Sequence, residues 1–169
     1  MIGWQYYPKS DEIPDHLLGV VDIFKQCQTN IDSSRHRLSS DEVLLVLKKD
    51  LLRKRFRVEK GSKMQDRIKV PVLFGRNGQL EKSFEVDAFQ ADTGTVLEVE
   101  AGRAVTNYQF LKDLFEACMM HGVDYLVVAV RNVYRNKQKD FERVLTHFDT
   151  LYASGRLRLP LKGILVIGY

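Results

Sequence analysis

Cysteine is nearly absent. The chain of 169 residues has two, Cys27 and Cys118, which lie far apart in apolar helical patterns, so neither a disulfide framework nor a cysteine-based zinc site is expected. Four histidines, His16, His36, His121 and His147, have no metal-ligand spacing. No apolar run approaches the roughly 18 residues of a membrane span. Met1 to Pro8 has neither a charged leader nor an apolar stretch, so a cytoplasmic protein with no membrane partner is expected. Internal repeats, low-complexity tracts and interdomain linkers are also lacking. Gly75 to Ser83 resembles a phosphate loop superficially, but lacks the adjoining Gly-Lys pair and is not followed by a helix.

What is present suits one globular domain with a sizeable core: 44% of residues are hydrophobic and 28% charged. The net charge is only +4, but it is unevenly placed. Residues 48–82 hold twelve Lys and Arg against four Asp and Glu, a local excess of +8 that leaves the remainder at −4. Such a segment is either a surface for a phosphate backbone or a solvated helix end and hairpin. Arg35-His36-Arg37 falls in a polar stretch read as a loop.

Periodicity changes along the chain. Residues 12–28 repeat at helical spacing, with Pro14 suited to the first turn. Ser39 and Glu42 form the pattern of a capping box for a second helix over 41–55. From Arg67 the period becomes strand-like. Residues 69–74, 80–90 and 95–101 read as an antiparallel meander, turned by Asn77-Gly78 and by Asp92-Thr93-Gly94, with Pro71 arguing for an edge position or an end of the first strand. A helix over 105–121 uses Leu111, Leu114, Phe115 and Cys118. A strand over 124–130, apolar without alternation, a helix over 139–152 and a last apolar strand over 163–167 follow. The expected class is α/β, a mixed β-sheet of antiparallel meander and parallel crossover strands flanked by helices.

The chemistry concentrates in Glu85-Val86-Asp87 and Glu98-Val99-Glu100. Strand side chains alternate, so Glu85 and Asp87 share one face, and so do Glu98 and Glu100. Symmetric pairing about 92–93 sets Gln90 opposite Thr95, Asp87 opposite Glu98 and Glu85 opposite Glu100. Like charges facing one another destabilise a strand pair. A hard divalent cation would compensate, since Asp and Glu oxygens are what Mg²⁺ accepts. The alternatives are carboxylates in water paired to Arg103 or Lys112, or a bulge at Gly94 that separates them.

Asp87, a turn, and Glu98-x-Glu100 ending an apolar strand before a helix resemble the PD-(D/E)xK restriction-endonuclease-like nucleases, most closely the BamHI/BglII-like branch. The resemblance spans about residues 40–130, and divides the single domain into an N-terminal helix and loop (1–40) and an endonuclease-like core (41–169). It implies that Asp87 and Glu98 bind Mg²⁺, with Mn²⁺ a possible substitute. Glu100 would assist the metal or orient water, and DNA phosphodiesters would be hydrolysed by in-line attack. Glu100 stands where the family usually has Lys, and Val86 where it usually has Pro. Lys112 would replace the absent cation or else be a solvated helix residue, and Glu42 would supply an extra acid or cap its helix. Arg53, Lys54, Arg55, Arg57, Lys60, Lys63 and Arg103 would contact DNA, and Arg103 alternatively neutralises the acidic strands. A homodimer would address both strands. The alternative function is a catalytically inactive nucleic-acid-binding or assembly module on the same fold.

Overall fold

Local sequence signals set most of the elements in the computed structural model, which describes residues 1–59, 66–102, 107–133 and 139–169. In chain order these are β1 (Gly3–Tyr7), α1 (Asp15–Ile31), α2 (Ser40–Arg53), β2 (Arg57–Val58), β3 (Ile68–Phe74) and β4 (Leu80–Val86). They are followed by β5 (Ala88–Gln90), β6 (Thr95–Glu100), α3 (Gln109–Met119), β7 (Tyr125–Val130), α4 (Asp140–Ser154) and β8 (Gly163–Gly168). Pro14 is the residue before α1, where its fixed φ is compatible with helix entry. At α2 the Ser39 backbone N–H donates to the Glu42 carboxylate at 2.7 Å, and the Glu42 N–H donates back to the Ser39 hydroxyl. Glu42 is thus committed to the cap.

Six strands form one sheet in the order β1-β8-β7-β6-β5-β2. The centre, β6-β7-β8, is parallel, while β1, β5 and β2 run antiparallel to their neighbours. Near-continuous apolar composition suits these central strands, because helices cover both faces. Leu97, Val99, Val127, Ala129 and Leu165 face α1 and α2. Val96, Val128 and Val166 face the opposite layer of α3, α4 and the β3-β4 ribbon. No helix among the described residues is long and apolar enough to cross a membrane.

The structure corrects three sequence expectations. The stretch 80–90 is not one strand. It bends at Asp87, so β3 and β4 form a separate two-stranded ribbon while β5 joins the main sheet, and the meander is divided. Glu85 therefore pairs with Lys69 in the ribbon instead of facing Glu100. On α3, Leu111, Leu114 and Cys118 pack on the core as expected, but Phe115 does not. Phe110, Asp113, Leu114 and Ala117 are inside, whereas Phe115 is 55% exposed, because Phe110 packs against Phe148 with ring centroids 6.0 Å apart. Strands β1 and β2 were without a sequence signal; one is an edge strand and the other has two residues.

Candidate active site

The bend at Asp87 is held from three directions. Its neighbours keep the symmetric register, Ala88 opposite Leu97 and Gln90 opposite Thr95, which brings Asp87 alongside Glu98. The Val99 N–H donates to Asp87 Oδ2 at 2.7 Å, replacing a ladder bond that β5 no longer supplies. The Glu59 N–H donates to the Asp87 carbonyl at 2.9 Å. In return, the Asp87 backbone N–H bonds to the Glu98 carboxylate. These side chains sit toward the carboxyl end of β6, where the sheet changes from parallel to antiparallel pairing. In open α/β sheets this kind of strand end is where ligand sites form.

Alternation places Glu98 and Glu100 on the α3 side of the sheet, opposite the face occupied by Leu97 and Val99. There they meet Asp113, a 94%-buried side chain within the apolar stripe of α3 (6% exposed). Burial, followed by repulsion from Glu59, Asp113 and Asp41, raises the Asp87 carboxyl to about 7 against the Val99 hydrogen bond. Burial and the charges of Asp87, Asp113 and Glu100 push Glu98 well above the usual carboxylate range. Glu100 rises to about 8 through burial and Asp113, and Asp113 to about 6 through burial, partly offset by Lys112. Glu100 and Asp113 hydrogen-bond to one another. Asp113 Oδ1 accepts from Gln109 at 3.4 Å, while its buried Oδ2 has no hydrogen-bond partner among the described residues. The cluster carries more negative charge than its own surroundings neutralise.

A cavity of about 280 Å³ opens beside Asp87 and Glu98, lined further by Asp41, Glu59, Arg67, Glu85 and Val86. Glu100 lies outside this lining, two residues beyond Glu98 and next to Asp113. No group of three His, Cys, Asp or Glu side chains among the described residues is arranged to hold a metal ion. Two carboxylates on a water-accessible wall nevertheless suit Mg²⁺, which is commonly held by one or two carboxylates and keeps several waters. The unrelieved repulsion within the cluster is what such a cation would remove. The donor set therefore fits a hard divalent ion, which Asp87 and Glu98 would hold.

The remaining residues singled out from the sequence are dispersed. Lys112 is 58% exposed and pairs with Glu116 at 3.3 Å, but its charge still acts on Asp113, Glu98 and Glu100. Arg53 pairs with Asp50 at 2.8 Å and Arg55 with Asp92 at 3.2 Å. Arg57 lies 5.4 Å over the Phe89 ring, two residues before the cavity residue Glu59, and Lys54 runs beside Gly19. Lys60, Lys63 and Arg103 lie outside the described residues. Sequence reasoning missed Asp41, Glu59, Arg67 and Asp113. Asp113 did have a signal, an acid three residues after Phe110 and four before Ala117 on what is the apolar face. Asp41 is exposed on the first turn of α2, beside the capping Glu42.

No protein-family model matches the chain, and no curated protein matches it. Solved structures do. Free BglII superposes with a TM-score of 0.51 at 12% identity, covering 99% of this chain and 78% of that one. The restriction endonuclease BglII complexed with a DNA 16-mer gives 0.57 at 13% identity, covering 99% and 77%. The mixed sheet and its flanking helices thus form a restriction-endonuclease-like fold.

Proposed function

We propose that this chain is a Mg²⁺-dependent DNA endonuclease that hydrolyses phosphodiester bonds. The observation that carries the reading is the convergence of Asp87 and Glu98 on one cavity wall, at a strand end of a BglII-like sheet. Asp87 and Glu98 would hold Mg²⁺, or Mn²⁺ in its place. When bound, the ion supplies Lewis-acid polarisation of a phosphoryl oxygen and lowers the pKa of a coordinated water. Asp87 is fixed for this by the Val99 N–H, and Glu98 by the Asp87 N–H. Glu100 stands behind the ligands beside Asp113 and would assist the metal or orient the attacking water. The substrate reading draws on the solved neighbour, which is a restriction endonuclease complexed with DNA. The exposed Arg53, Lys54, Arg55 and Arg57 supply cationic surface for its backbone. Cutting both strands calls for two copies related by a two-fold axis, acting in the cytoplasm.

The test is plasmid nicking or linearisation by the purified protein with Mg²⁺, across several DNA sources. Glu98→Ala is expected to lower the rate by at least about 100-fold, since metal-based charge stabilisation supplies several kcal/mol. A second reading, an inactive DNA-binding or assembly module, is favoured by Glu100 standing at the usual Lys position beside Asp113 rather than on the cavity. It predicts salt-sensitive DNA binding without turnover under any divalent cation.

A further inference from the structure

Five carboxylates, from Asp41, Glu59, Glu85, Asp87 and Glu98, line the cavity, and Arg67 is its single cationic lining residue among those described. A phosphodiester is an anion and would be repelled by such a wall. A divalent ion offsets charge at Asp87 and Glu98, but leaves Asp41 and the two glutamates Glu59 and Glu85. These two are the residues that Arg67 engages, Glu85 through Nη1 and Glu59 through Nε at 3.8 Å.

We propose that Arg67 is the phosphate-holding cation of this site, kept in place by Glu85 and Glu59 and presenting its remaining N–H edge to a DNA phosphate. The proposal rests on the nuclease reading and names the residue that meets its substrate. Three features support it. The side chain of Arg67 is 40% exposed, so a ligand reaches it without unfolding. Its Glu85 partner is 42% exposed as well, so the pair stands in solvent where a phosphate can approach it. A guanidinium also offers parallel N–H groups that match phosphate oxygens, which an ammonium does not. Lys112, the cation suggested by sequence, is instead tied to Glu116 on α3.

The experiment measures binding of a fluorescent mixed-sequence DNA duplex by the full chain with Ca²⁺ and with EDTA, alongside plasmid cleavage with Mg²⁺. Wild type, Arg67→Ala, Arg67→Lys and Arg57→Ala are compared, with thermal melting as the control for folding. Arg67→Ala is expected to lose the Ca²⁺-dependent gain in DNA affinity and about 100-fold in cleavage rate, the usual effect of removing one charge-stabilising donor. Its melting temperature should be retained, and Arg67→Lys should recover part of both losses. Arg57→Ala should weaken binding equally with and without Ca²⁺. If wild type never cleaves but Arg67→Ala still removes the Ca²⁺-dependent gain, the phosphate role stands and the nuclease reading falls. Unchanged Ca²⁺-dependent binding in Arg67→Ala, or no such gain in wild type, overturns the role of Arg67.

Discussion

Neutralising Asp87 should stabilise the metal-free protein, and increasingly so as pH rises. The folded-state pKa is raised from 3.8 to about 7, so the folded state holds the proton more tightly than the unfolded chain. Stability from this group is therefore complete below about pH 4 and is lost progressively up to about pH 7. One pKa unit corresponds to about 1.4 kcal/mol, which gives a ceiling of about 4 kcal/mol above pH 7. Asp87 is only half-buried beside an open cavity, and water there reduces the effect to about 1–2 kcal/mol. At this chain length, that is roughly 2–8 °C in Tm. Asparagine keeps an oxygen for the Val99 N–H, which makes Asp87→Asn a clean probe. In EDTA, the Tm of Asp87→Asn minus that of wild type should be near zero at pH 4 and rise through pH 7. Excess Mg²⁺ at pH 8 should raise the wild-type Tm and leave the variant unmoved. Parallel melting curves across this range would refute the claim that Asp87 is held against uncompensated repulsion.

Three further outcomes follow from neighbouring residues. Asp113→Asn removes a charge that presses on Glu100, Glu98 and Asp87, and should raise metal-free stability at pH 8 by about 1 kcal/mol in denaturant melts. Ser39→Ala deletes the hydroxyl half of the α2 cap, with an expected loss of about 1 kcal/mol in the same melts. Arg57→Ala should reduce the slope of log Kd against log salt by about 1 in DNA titrations if that side chain contacts a phosphate.

The fold was legible where local chemistry decides structure. Ser39 and Glu42 announced α2, Asn77-Gly78 announced the ribbon turn, and the apolar run from Leu126 to Val130 announced a doubly covered strand. The Asp87–Glu98 pairing followed from counting outward from a turn, because strand register has period two. The break at Asp87 was not legible. It depends on Val99 and Glu59 bonding to that residue, and these contacts exist only once β2 and β6 are in place. Arg67, Glu59 and Asp41 come from three separate segments, and only the folded chain assembles them on one wall. Asp113 was hidden because a charged residue within an apolar helical stripe is ordinarily read as solvent-facing, and its burial depends on Phe110 and its partners on α4 closing over that face.

Calorimetric titration of Mn²⁺ into the metal-free protein and into the Asp87→Asn/Glu98→Gln double variant tests the central claim most directly. Saturable binding to wild type at pH 8 that disappears in the folded double variant is the result expected of two carboxylates built to share an ion. Equal heats from both proteins, or none from wild type, would contradict it.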